Sequence, residues 1–241
     1  MLDFYGFQMQ EFLFEGRKAT LVFPKESDKN RNWTLKTEYR EAFIDIELEL
    51  VKKGFHMAYL ENKNRFATQE DCDTKRRFVE FLHREYGLRE KCVPIGMSLG
   101  GAHAVNFAGF YPQCVACVFL DAPVLNFLSF PGGKNTESGV WDKEFVVAYP
   151  GITRAKLLDN FKYHPVNQAQ KMMENNIPVI MLYGTEDQTV IYEENGMLLE
   201  EVYIGKSELL KVIPRKLQGH HPHGYLADRS PIFDFILKYA K

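Results

Sequence analysis

The sequence predicts an α/β fold: a mostly parallel central sheet with an N-terminal antiparallel hairpin, helices on both faces and one lid-like insertion. Three observations carry this. Short apolar runs alternate with amphipathic segments along most of the 241 residues, the pattern of a parallel sheet whose crossovers are helices. The opening stretch instead holds two strand-like runs around "EGRK" at 15–18, a hairpin signal. From about 126 to 160 the rhythm breaks in a segment rich in Gly, Pro and large aromatics. An insertion that long with its own apolar residues is more often functional than idle.

Taken in order, "GFQMQEFLF" and "KATLVFP" are the hairpin strands. Residues 35–53 read as a helix with Phe43, Ile46 and Leu50 on one face and Gly54 as its stop. "FHMAYLE" is a strand. Residues 70–86 form a helix on the spacing of Phe78, Phe81 and Leu82, closed by Gly87. "CVPIGM" is a strand, 102–110 a helix and "VACVFLDAPV" another strand. After the insertion come a helix at 167–175, the strand "PVIMLYG", a helix at 192–202, the strand "ELLKVIP" and a closing helix at 231–239. There is no internal repeat, and the length suits one domain over 1–241.

Composition narrows the partners. A chain that is 45% hydrophobic and 26% charged is an ordinary globular one. Its net charge of −2, with no run of Lys or Arg, gives no footprint for nucleic acid. No apolar stretch approaches the length needed to span a bilayer, and "MLDFYGFQMQEFLFEGRK" lacks the parts of a secretory signal, so a cytoplasmic protein is expected. Cys114 and Cys117 make a CxxC, but Cys72 and Cys92 form no second close pair. The pair leads into "VACVFL" and reads as small apolar side chains beside a buried strand.

The chemistry gathers at "VPIGMSLGG", residues 93–101. A serine hydroxyl attacks only when a base takes its proton and the approach is open. Placing it on a tight strand-to-helix turn exposes the oxygen, and the turn needs small residues on both sides. Gly96 and Gly100 flank Ser98 as G-x-S-x-G, and Gly101 adds clearance. The helix that follows aims unpaired N–H groups at this point, so the N–H of Leu99 is a candidate oxyanion donor. After "PVIMLYG" comes Asp187, placed to orient a histidine. Asp121, after "ACVFL", is a second candidate acid, and Glu186 reads as a solvated loop charge. After the last strand comes "QGHHPHG", with His220, His221 and His223. One of the three serves as general base. Three histidines within four residues, with Pro222 between them, are poorly arranged to converge on one ion, so no metal and no cofactor is expected.

With its G-x-S-x-G turn, the acid after "MLYG" and the histidine loop in that order, the chain resembles the α/β-hydrolase superfamily over nearly its whole length. More narrowly, "NRF", "GMSLGG", "LDAPV", "YGTEDQTVIYEENG" and "GHHPHG…SPIFDFI" look like a bacterial group of prolyl-oligopeptidase-type hydrolases. The resemblance implies the α/β-hydrolase fold, with Ser98 as nucleophile, Asp187 as acid and Leu99 as oxyanion donor. The family places its histidine directly after a glycine with proline two residues on, which fits His220; the doubled histidine keeps His221 as an alternative, and His223 would brace the loop. Many relatives carry an H-G-G-type turn after the third strand. Here "VFPKESDKNRNW" stands instead, Pro24 has no N–H, and Lys25 or Glu26 would supply the second donor. Some relatives occur with carbohydrate-esterase modules, which points to acyl groups on sugars.

The expected activity is therefore hydrolysis of a small-molecule carboxylic ester through an acyl-enzyme, with Trp141 and the phenylalanines of the insertion as apolar walls or, alternatively, as a satellite core under a long loop. A peptidase or amidase of prolyl-oligopeptidase type is the alternative chemistry for the same triad. A non-catalytic binding protein on this fold is the contrasting class. It would be marked by a missing triad residue, and all three residue types are present.

Overall fold

The computed structural model describes residues 2–131, 140–159 and 161–240, with backbone alone at 140–142 and 154. Three antiparallel strands come first, β1 (Leu2–Phe4), β2 (Phe7–Phe14) and β3 (Arg17–Phe23). The turns Tyr5-Gly6 and Glu15-Gly16 join them with positive φ at every position, 52° and 85°, then 50° and 78°. Two-residue turns that match the twist of their strands require this, and glycine meets it without steric cost. The hairpin was legible in the sequence; β1 was not.

The remaining strands are β4 (Trp33–Lys36), β5 (His56–Leu60), β6 (Val93–Met97), β7 (Val118–Asp121), β8 (Val179–Gly184) and β9 (Leu210–Arg215). All nine share one sheet in the order β1-β2-β3-β5-β4-β6-β7-β8-β9. β3 pairs antiparallel with β5, and from β5 to β9 every neighbour is parallel. The parallel strands therefore all end at one edge.

Among the described residues, eight α-helices accompany them: α1 (Asp45–Lys52), α2 (Gln69–Tyr86), α3 (Leu99–Phe110), α4 (Val140–Ala148), α5 (Arg154–Leu158), α6 (Pro165–Glu174), α7 (Gly196–Val202) and α8 (Ser230–Tyr239). Leu120, Val179 and Met181 face one side of the sheet, against Phe78 and Leu82 of α2, Phe107 of α3, Met172 of α6 and Leu199 of α7. Phe119, Ile180 and Leu182 face the other, against Ile46 and Leu50 of α1 and Ile232 and Phe235 of α8. Successive residues of a strand point to opposite faces, so a sheet covered twice needs apolar residues throughout. Each fully buried side chain of this kind contributes about 1.5–3 kcal/mol. All four cysteines are buried and unpaired, in keeping with their reading as core side chains.

The helix expected over 35–53 is a strand, a turn and a shorter helix. Trp33–Lys36 inserts between β5 and β6 as β4, and α1 begins only at Asp45. The strand "WTLK" is fully buried, yet it carries a lysine that reads as solvent-facing. Lys36 is tolerated because its Nζ lies 2.6 Å from Glu47 Oε1 and donates to the Ala42 carbonyl at 3.1 Å. Pairing on both edges of β4 overrides the helical periodicity.

The described part of the insertion holds α4 and α5. Phe127, Phe145, Tyr149 and Leu157 pack with Phe66, with Leu99 and Ala102 of α3, and with Val190. The Tyr149 hydroxyl lies within hydrogen-bond distance of the Phe66 and Ala67 carbonyls, at 2.8 and 3.0 Å. Arg65 grips Glu144 of α4 through Nε and Nη2. Most aromatics of the insertion thus form a satellite core, and the Trp141 side chain lies outside the described residues.

Of the four buried histidines, His56, His103 and His164 lie outside the histidine loop that follows β9. Burial pushes His56 and His164 down to about 4. Burial, with the nearby Lys75 charge, pushes His103 to about 3. Unfolding frees each to take a proton near its ordinary 6.5, so stability is lost as pH falls from about 6.5 toward the folded values. Linkage puts the loss between pH 7 and pH 5 at up to ~2 kcal/mol per histidine. Urea midpoints at the two pH values test this, and equal midpoints would refute it.

Candidate active site

Three loops at the carboxyl edge of the sheet meet at Ser98. The first is the turn from β6 into α3, where Ser98 sits at φ 51°, ψ −126°. A non-glycine residue held there is strained, and its backbone is fixed by bonds on both sides. The Ser98 N–H donates to the Asp121 carbonyl at 3.1 Å, and the Ser98 carbonyl accepts from Gly101 and Val124, both at 2.9 Å. The glycines have separate roles. A Cβ on Gly96 would lie 2.5 Å from the Gly100 carbonyl oxygen, and one on Gly101 would strike Pro123. Helix and strand are closer here than any side chain allows.

The second loop follows β8 and carries Asp187. Its Oδ1 accepts the N–H groups of Thr189 at 2.8 Å and Val190 at 2.9 Å. Its Oδ2 lies 2.7 Å from His220 Nδ1. Burial pushes the Asp187 carboxyl up, but the His220 hydrogen bond and charge, with the two N–H donors, outweigh it and hold it below its ordinary value. It therefore stays ionised near neutrality.

The third loop follows β9. His220 Nε2 lies 3.1 Å from Ser98 Oγ, so serine, imidazole and carboxylate form one hydrogen-bonded chain. His221 stands outside that chain and is exposed, stacked on Phe43 with ring centroids 5.4 Å apart. His223 is buried, with Nδ1 3.6 Å from Asp121 Oδ1. The other candidate acid, Asp121, serves the loop: its Oδ2 accepts from the Gly224 N–H, and Arg215 Nη2 lies 3.1 Å from its Oδ1. Arg215 in turn donates to the Pro222 carbonyl. This buried ion pair is a brace that sequence reading missed, because Arg215 ends an edge strand and carries no motif.

Loop and loop also touch. A Cβ on Gly184 would strike the carbonyl oxygens of Gln218 and Gly219, so glycine at 184 lets the acid loop and the histidine loop lie together. Gly184→Ala is expected to cost ~1–3 kcal/mol through overpacking and to lower kcat by displacing His220. Thermal unfolding with ester turnover checks this; a variant equal to wild type in both would contradict it.

Two expectations need correction. Lys25 and Glu26 cannot reach Ser98. They follow β3, which runs against the parallel strands, so they sit at the opposite edge, where the Asp28 N–H donates to the Gly54 carbonyl just before β5. The segment that does approach follows β4. Thr37 Oγ1 is 2.7 Å from the Gly100 carbonyl oxygen, Asn62 Nδ2 donates to the Thr37 carbonyl at 2.7 Å, and Tyr39, at φ 54°, lines the site. Reading 35–53 as a helix hid this turn. The second concerns the histidines: the path of their loop gathers His220, His221 and His223, each offering a ring nitrogen within 4.8 Å of the others.

Beside Ser98 lies a cavity of about 320 Å³ walled by Tyr39, Ala42, Phe43, Met97, Leu99 and Phe130, with Thr189 and the three histidines completing it. Its size falls at the low end for small-molecule sites. Among the described residues, none that line it is a carboxylate, lysine or arginine, and Phe130 is the one wall from the insertion.

No protein-family model matches the sequence, and no curated protein matches it. Solved structures share its fold. Pyrococcus horikoshii acylaminoacyl peptidase superposes with a TM-score of 0.70 at 15% identity, over 97% of this chain and 42% of that one. Porphyromonas gingivalis dipeptidyl peptidase 4 does so at 0.70 and 14%, over 97% and 35%. TT1662 from Thermus thermophilus does so at 0.66 and 13%, over 98% of both chains. The chain thus spans well under half of the two peptidases and nearly all of TT1662. The protein has the α/β-hydrolase fold, and the likeness to prolyl-oligopeptidase-type hydrolases read from its motifs extends to its three-dimensional architecture. Among the described residues, no helix is long and apolar enough to cross a membrane.

Proposed function

We propose that the protein is a serine hydrolase that cleaves a small carboxylic ester through an acyl-enzyme. The observation that carries this is the chain Ser98 Oγ, His220 Nε2 at 3.1 Å and His220 Nδ1 to Asp187 Oδ2 at 2.7 Å. Ser98 Oγ attacks the ester carbonyl as His220 Nε2 takes its proton. The ionised Asp187 holds the imidazole in place and stabilises its cation. The oxyanion is held by the N–H of Leu99, which opens α3 and has no acceptor within the helix. The second donor comes from the 37–39 turn. When the C–O bond breaks, His220 returns the proton to the leaving alkoxide. Water then attacks the acyl-enzyme with His220 again as base, and the acid leaves.

A peptidase reading is supported by the two structural neighbours named as peptidases. Among the described residues, the small lining beside Ser98 holds no carboxylate for a peptide's terminal ammonium, which supports a neutral acyl group. The test is a panel of p-nitrophenyl esters of rising acyl length, acetylated sugars and aminoacyl anilides. Turnover of short-chain esters with decline at longer chains is expected. Turnover of anilides without that of esters would overturn the ester reading.

A further inference from the structure

We propose that His220, His221 and His223 form a binding site for a borderline-soft divalent cation such as Zn²⁺, and that the bound ion blocks the enzyme. The blocking half rests on the hydrolase reading above; the binding half does not.

The argument is geometric. Ring centroids of the three imidazoles are 4.8, 4.8 and 5.0 Å apart, with planes 68°, 81° and 87° to one another. Imidazoles bound tetrahedrally at a metal–nitrogen distance of about 2.0–2.1 Å have ring centres about 5 Å apart. One ring nitrogen of each histidine already lies within 4.8 Å of the others, and a tetrahedral ion would draw them to about 3.3 Å apart. One of the rings is also backed as metal ligands are: Asp187 Oδ2 lies 2.7 Å from Nδ1 of His220, and a carboxylate hydrogen-bonded to Nδ1 fixes the tautomer that leaves Nε2 as the ligand. His223 Nδ1 lies 3.6 Å from Asp121 Oδ1, beyond hydrogen-bond distance, and is buried without a hydrogen bond, so no hydrogen bond at Nδ1 fixes the orientation of this ring. Asp187 and Asp121 oppose the ion's charge, while Arg215 offsets part of Asp121.

The two uses of His220 exclude each other. The Nε2 lone pair that takes the Ser98 proton is the pair an ion would occupy, so loading the site removes the base.

The experiment titrates Zn²⁺ calorimetrically into chelator-dialysed wild type, Ser98→Ala and His221→Gln, a substitution at an exposed ring that leaves the fold intact. Saturable 1:1 binding is expected in the first two. His221→Gln should weaken it by at least about tenfold, since losing an outer-sphere partner alone costs 10–100-fold. Fluorophosphonate labelling of Ser98 should fall in step with occupancy and return with chelator. Absence of 1:1 binding in Ser98→Ala, or binding unchanged by His221→Gln, overturns the site. Binding with labelling undiminished overturns the block. Should metal-free protein never label, the hydrolase reading and the block fall together, while the isotherms still decide the site.

Discussion

Ser98→Ala is expected to remain folded while ester turnover falls by at least ~10⁴-fold, because losing the nucleophile removes the covalent route and leaves only oxyanion stabilisation and binding. The hydroxyl faces a cavity rather than the core, so its removal opens no buried void. His220→Ala should match that loss. His221→Ala should cost far less, since its ring lies on Phe43 and outside the chain from serine to carboxylate. Steady-state kinetics beside circular dichroism would show this. Equal losses at His220 and His221, or turnover surviving Ser98→Ala, would refute the assignment.

Arg215→Met is the second large effect. It leaves the Asp121 carboxylate buried without its cation, and breaking one side of a buried pair costs ~3–5 kcal/mol. It also removes the donor to the Pro222 carbonyl, so His220 loses the support that aims it. A displacement of the base by about 1 Å can lower kcat on the order of 10²-fold. Urea unfolding and kcat should fall together. Wild-type stability with wild-type turnover in Arg215→Met would contradict the bracing role.

Features set by local chemistry were legible in the sequence. Gly16 announces the hairpin turn, Gly96 and Gly101 announce the crowded strand-to-helix turn, and Asp187 and His220 each stand just past an apolar run. Features set by distant partners were not. The helical spacing of Phe43, Ile46 and Leu50 drew residues 35–53 into one helix, because the pairing of β4 with β5 and β6 and of Lys36 with Glu47 comes only from distant partners. The donor loop was then sought after β3, at the wrong edge. Arg215 acquires meaning only when Asp121 and Pro222 fold around it. The convergence of His220, His221 and His223 depends on the path of their loop, which spacing along the chain does not encode.

The way the insertion is fastened has a practical consequence. Tyr149 and Glu144 tie it to the 64–67 loop, whereas nucleophile, acid and base hang from the ends of β6, β8 and β9. The described insertion and the proposed proton relay thus occupy separate anchorages. A transplanted segment between the ends of β7 and α6 would change which molecules are admitted while leaving the reacting atoms where they stand.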